Sequence, residues 1–153
     1  MKRFSSAAIL VWAIFLASCT VTKPPQVSVL RAEFADRTDD GEIIRFDLVA
    51  TNASADAIPL RAIRYELILD GKRVFGGTRE AEATVRRFGA QIVTIPVAIS
   101  YRDGQPPRGD VPYELRGTVR YLPHSPLLRV FYDAGLPMPT TSFRDQGVIE
   151  FEP

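Results

Sequence analysis

Apolar residues recur at every second position through most of this chain, and that period leaves few folds open. Ile44, Phe46, Leu48 and Ala50 alternate with Arg45, Asp47 and Thr51. Ile63, Tyr65, Leu67 and Leu69 alternate with Arg64, Glu66 and Asp70. Val93, Ile95, Val97, Ile99 and Tyr101 make a third stripe, and Tyr113, Leu115, Val119 and Tyr121 a fourth. A period of two puts successive side chains on opposite faces of a strand, so each run predicts a strand with one dry face and one wet face. Asp70-Gly71 directly follows the second run and Lys72-Arg73-Val74-Phe75 comes after it. That spacing predicts a hairpin closed by a type I′ turn, which needs positive φ at both central positions. Pro96 cannot donate to a ladder, so its place inside the third run predicts a bulge or an edge strand.

Further strands are expected at Val27–Phe34, Thr84–Phe88, Leu127–Tyr132 and Val148–Phe151. No stretch after the first twenty residues shows a capped helical period; Glu80–Arg87 has room for one turn of helix at most. About seven or eight short strands separated by turn signals predict an all-β chain, an antiparallel β-sandwich of immunoglobulin or fibronectin III-like architecture. A Cys…Trp…Cys pattern is absent, which excludes an antibody-type domain. Phe46, Leu48, Tyr65, Leu67, Ile95, Val97, Leu115 and Val119 are expected to share one core between two sheets. Arg64 and Glu114 are expected to point the other way.

The N-terminus has a different character. Met1-Lys2-Arg3 is basic, Ala7 to Leu16 is almost unbroken apolar sequence, and Leu16-Ala17-Ser18-Cys19 follows. The apolar run falls short of the roughly 20 residues a membrane span requires and has the layout of a secretory signal. Small residues before the cut suit a peptide that must lie extended in a tight cleft. With Cys19 directly after them, the segment resembles the bacterial lipoprotein signal. The resemblance implies that Cys19 is diacylated on sulfur, becomes the new N-terminus and is acylated again. The alternative is an ordinary signal peptide with a cysteine nearby. The expected organisation is 1–18 signal peptide, 19–26 lipidated cysteine and Pro24-Pro25 tether, and 27–153 β-sandwich domain. Thr20, in place of the aspartate that retains enterobacterial lipoproteins in the inner membrane, points to the outer membrane, with the domain in the periplasm.

Loss of Lys2 and Arg3 with the leader takes the formal charge of the 153-residue chain from +1 to −1. So balanced a charge gives no footprint for nucleic acid. The single cysteine rules out an internal disulfide. Core burial alone must hold the domain, and a 46% hydrophobic composition supplies it.

The order of the segments resembles the water-stress-and-hypersensitive-response domain, the group 2 late-embryogenesis-abundant fold. The resemblance runs from Val27 to Phe151. It rests on Ile43–Asn52, on Ile58-Pro59-Leu60 leading to Tyr65, on Leu69–Gly77 around Gly71, on Ile92–Ile99, and on Tyr113–Val119 around Gly117. Asn52-Ala53-Ser54 keeps one Asn of the family's Asn-Pro-Asn and lacks its Pro and second Asn. The resemblance marks Asn52, Pro59, Tyr65, Gly71, Tyr113 and Gly117 as structural positions and implies stress-protective, chaperone-like or envelope-structural work.

Chemistry has little to work with. His124 is the only histidine, set in a Pro-flanked turn, and a hydrolytic site would need it near Ser125 or Ser142. Asp36, Asp39, Asp40 and Glu42 are either a calcium loop without regular ligand spacing or an ordinary acidic loop. Gly76-Gly77 opens no helix, so it predicts no phosphate cradle. Arg79, Arg86 and Arg87 form a small basic spot, either solvent-facing or at most in touch with lipid head groups. Leu127–Tyr132 and Ala134–Pro139 are core plus a covering loop, or an exposed apolar lip for an acyl chain, a peptide or a partner. The expectation is a non-enzymatic, membrane-anchored envelope lipoprotein without cofactor or metal. Its alternative is a periplasmic binding module that carries an apolar ligand or docks an envelope protein.

Overall fold

The computed structural model describes residues 23–38, 40–101 and 107–151. The expected leader 1–18, Cys19 and Asp39 lie outside the described residues. Seven strands and one short helix follow in the order β1 (Gln26–Thr38), β2 (Gly41–Asn52), β3 (Ile58–Leu69), β4 (Lys72–Val85), β5 (Gly89–Ser100), β6 (Gly109–Tyr121), α1 (Pro126–Asp133) and β7 (Thr140–Phe151). They form a three-stranded sheet of order β1-β2-β5 and a four-stranded sheet of order β4-β3-β6-β7. Every pairing within the sheets is antiparallel. The fold is the expected β-sandwich. The fourth strand pairs with β3 and leaves β5 alone, so the sheets divide in the fibronectin-like manner and not as in a constant-type immunoglobulin domain.

All eight residues assigned to the core belong to a single buried cluster between the sheets. Their alternation with exposed neighbours is the physical reason: once one face is buried, a slip of one residue would turn the whole set outward. At the β3–β4 turn Asp70 and Gly71 both have positive φ, 47° and 71°, as the hairpin reading requires.

Pro96 shows how the open edges are managed. β5 pairs with β2 in unbroken register, so Pro96 marks an edge and not a bulge. The outward carbonyls of that edge are taken by the opposite sheet. Tyr65 Oη donates to Pro96 O at 2.6 Å, and Arg79 Nη1 donates to Thr94 O at 2.8 Å. Two side chains from β3 and β4 thus cover an edge that would otherwise recruit another strand.

Four local expectations need correction. Leu127–Tyr132 lies in helix α1 and not in a strand. Ser125 caps it, its Oγ accepting from Leu128 N–H at 3.4 Å, and Pro126 stands in the first turn, where a missing N–H costs nothing. Thr84–Phe88 divides: Thr84 and Val85 end β4, and Arg86–Phe88 turn into β5. Glu80–Val85 is strand and contains no helical turn. β7 starts at Thr140, eight residues before the expected Val148; its pairing with β6 sets that extent, and with only Phe143, Ile149 and Phe151 buried its first part shows no apolar period.

On the outward side of the smaller sheet, Arg31, Asp47 and Thr94 stand in one cross-strand row. Asp47 accepts from Thr94 Oγ1 and from Arg31 Nε at 2.6 Å, and only 8% of it is exposed. The Thr94 hydroxyl, and then the Arg31 guanidinium, hold its carboxyl below the ordinary carboxylate value. A group depressed in the folded state binds fewer protons there than when unfolded, so its stabilisation is present above an unfolded pKa of about 3.9 and is lost as pH falls below it. Asp47→Asn is therefore expected to flatten the loss of stability between about pH 4 and the depressed value, measured by urea denaturation across that range. An unchanged acid slope would show that Asp47 does not contribute to it.

Candidate functional site

The motif positions are spread along the sandwich and form no single site. Asn52 and Pro59 lie at the end where the chain comes in, Tyr65 and Gly117 lie mid-sheet, and Gly71 and Tyr113 lie towards the other end. Asn52 is 3% exposed and ties its end together. Its Nδ2 donates to Asp56 O at 2.7 Å and Arg86 O at 3.2 Å, and its Oδ1 accepts from Ser54 N–H at 2.8 Å. Pro59 O accepts from Leu122 N–H at 2.9 Å. Tyr113 Oη donates to Asp145 Oδ2 at 2.6 Å, while its ring lies against Phe46 with centroids 5.8 Å apart. Burial pushes the Tyr65 and Tyr113 hydroxyls above the ordinary phenol value, and the Asp145 acceptor pushes Tyr113 further. Both remain neutral donors.

Tyr65 and Gly117 are cross-strand partners, and Gly77 and Phe143 complete their row. The backbone of that row floors a trough of about 850 Å³ on the outward face of the four-stranded sheet. Outward rows beside it carry Thr78, Arg64, Thr118 and Ser142, then Gly76, Glu66, Arg116 and Arg144. Glu66 pairs with Arg116 and with Arg73 at 3.2 Å. Glu114 accepts from Arg144 Nη2 at 2.8 Å and Gln146 Nε2 at 3.1 Å, and the Arg144 bond holds its carboxyl low. Glu114 is thus half-buried in a network and is not the free surface position its outward direction implied. Arg64 has no ion-pair partner among the described residues. The trough presents guanidinium groups and hydroxyls, donors that suit oxyanions or carboxylates. The signal missed in the sequence is the recurrence of Arg at Arg64, Arg116 and Arg144, which only the strand register brings side by side.

The catalytic and metal candidates do not assemble. His124 Nε2 is 3.8 Å from Asp56 Oδ1 on an exposed turn, Ser125 is committed to its helix cap, and Ser142 lies on the trough. Glu42, 2% exposed, accepts from Arg37 Nε at 2.7 Å, so its position in the acidic run is taken by an ion pair. Among the described residues, no group of three His, Cys, Asp or Glu side chains could hold a metal ion. Gly76 and Gly77 lie inside β4. The basic spot divides, since Arg79 reaches across to β5 while Arg86 and Arg87 stand in the turn.

Comparison with known proteins agrees with this architecture. The fold matches AT1g01470 from Arabidopsis thaliana with a TM-score of 0.66 at 18% identity, covering 90% of this chain and 88% of that one. It matches At2g46140.1, whose assignment as a late embryogenesis abundant (LEA) protein is provisional, with a TM-score of 0.66 at 18% identity, over 95% and 85% of the two chains. A protein from Archaeoglobus fulgidus matches at 0.56 with 12% identity, over 84% and 97%. At such identities the likeness concerns the fold alone. No curated protein matches the sequence. The profile of the LEA_2 family, described as late embryogenesis abundant protein, matches residues 47–130 and so more than half of the sequence, from β2 into α1. The chain belongs to the LEA_2 family of late embryogenesis abundant proteins.

Proposed function

We propose that this protein is a non-enzymatic LEA_2 module, held by acyl chains on Cys19 to the periplasmic face of a bacterial outer membrane, with a stress-protective or structural role in the envelope. The observation that carries the reading is the run Leu16-Ala17-Ser18-Cys19 behind a basic, apolar leader. Family membership supports a stress-related domain, and the scattered catalytic candidates support a role without turnover. The Cys19 sulfur takes two of the acyl chains and the α-amine freed by signal cleavage takes the third, and three chains exceed the two signals that stable anchoring requires.

Cys19→Ala is expected to abolish labelling by an alkyne fatty acid, and to release the domain from membranes or block its maturation. The wild type should stay membrane-bound in high salt and band with outer-membrane markers in a density gradient. Equal labelling of the variant would defeat the anchor, and banding with the inner membrane would defeat the location. The second reading, a module that docks a partner, is favoured by the trough around Arg64. Its occupant would be acidic, and crosslinking in cells through the β4-β3-β6-β7 face would reveal it.

A further inference from the structure

The end of the sandwich where the chain comes in is apolar on its outer surface. Hydrogen bonds make its connections neighbours. Ser54 Oγ donates to Lys23 O at 3.5 Å, and Phe88 N–H donates to Ser54 O at 3.1 Å. Asn52 joins the 53–57 loop to Arg86, and His124 stands beside Asp56. The first described residue, the β4–β5 turn and the root of α1 therefore share one end.

What that end exposes does not suit water. α1 has no buried residue, and Leu127, Val130 and Phe131, at spacings of three and four, lie along one stripe. Leu127 is 67% and Val130 64% exposed. Phe88 tips the neighbouring turn at 72% exposure, with φ of +48°, a left-handed backbone that a bulky side chain adopts only at a cost. Lys23, Arg86, Arg87 and Arg129 at this end outnumber Asp56 and Asp133. Exposed apolar groups accompanied by an excess of cations are the composition of an interfacial surface.

The chain outside the described residues says what covers it. Four residues take Cys19 to Lys23, a reach of at most about 14 Å in any conformation. We infer that α1 and the Phe88 turn lie on the bilayer that holds the Cys19 acyl chains, with Leu127, Val130, Phe131 and Phe88 in the headgroup–acyl boundary and the arginines at the phosphates. The occupant is a phospholipid surface. This rests on the anchored reading above. It fixes the orientation: the sheets stand away from the membrane, and the trough around Arg64 stays open to the periplasm.

The test uses the full chain, expressed and processed in cells. Trp12, the sole tryptophan, leaves with the leader. Phe131→Trp and Phe88→Trp therefore place single probes at this end, and Val74→Trp places one near the opposite end. Each protein is reconstituted in vesicles of phosphatidylethanolamine with phosphatidylglycerol as the minority lipid, and brominated phospholipid is added as quencher. Emission at 131 and 88 should fall about twofold or more while that at 74 stays constant. No quenching at 131 and 88, in protein whose Cys19 is acylated by mass spectrometry, overturns the docking and leaves the anchor intact. A blue shift at 131 without quenching marks a protein occupant, such as a second copy, and also overturns it. If Cys19 proves unacylated, the anchor falls by that measurement. Quenching on added vesicles would then sustain the docking surface alone, and its absence would end both.

Discussion

Truncation of Leu67 or Leu115 to alanine is expected to cost about 2–5 kcal/mol each, the range for deleting a large aliphatic side chain from a core that cannot collapse into the gap. Both residues are fully buried and stand directly opposite each other on β3 and β6, the two inner strands of the larger sheet. Rigid strands flank them on both sides, so the cavity persists. Urea denaturation should show the midpoint falling with little change in slope. Arg64→Ala, on the outward face of the same strand, should stay within about 0.5 kcal/mol. Glu114→Ala should not match it, since the network with Arg144 and Gln146 is lost. Leu67 and Leu115 touch a common space, so the double variant will depart from the sum of the two. Against a total of about 5–15 kcal/mol for a domain, it should leave little folded protein. A cost below about 1 kcal/mol at either position would show that the core relaxes freely and that the sheets are not the rigid layers described here.

The parts of this fold that could be read from residues alone are those with one dry face. β2, β3, β5 and β6 each bury alternate residues, and their hydrophobic period is visible in one dimension. β7 was largely hidden because its edge position buries only Phe143, Ile149 and Phe151, with Arg144, Asp145 and Gln146 between them. α1 reads as a strand in one dimension because Leu127–Tyr132 is rich in branched and aromatic residues, and eight residues give too short a window to separate a helical period from a strand. Its start signals, Ser125 and Pro126, fit a Pro-flanked turn equally well. The trough could not be found at all in one dimension. Arg64, Arg116 and Arg144 are far apart in sequence, and only the register Arg64↔Thr118 and Arg116↔Arg144 brings them together. The end where the chain comes in has the same property: Lys23, Ser54, Phe88 and His124 come together only after the strands have paired.

Gly117→Ala is expected to be the most damaging of the single-methyl additions among the motif glycines. Gly117 lies on β6 between Tyr65 and Phe143. A Cβ there would sit 2.4 Å from Arg64 O and 2.6 Å from Phe143 Cζ, both closer than real contacts allow. The phenyl ring could swing away, but it is buried and would leave a void. The carbonyl belongs to the backbone of an inner strand with β4 and β6 on either side, and it has nowhere to go. Relief therefore requires the β3–β6 pairing to open locally, at a cost of about 1–3 kcal/mol or more by analogy with overpacked cores. Gly71→Ala supplies the control. At φ +71° with nothing within 4 Å, its Cβ meets only the intrinsic penalty of a left-handed residue, about 1–2 kcal/mol. The two glycines thus separate steric exclusion from backbone conformation. Gly117→Ala should also loosen the Tyr65 Oη bond to Pro96 O, since Tyr65 flanks the site, and hydrogen exchange along the β5 edge should rise in that variant alone. If Gly117→Ala proves no worse than Gly71→Ala and leaves β5 exchange unchanged, the close approach at Gly117 is not what keeps a glycine there.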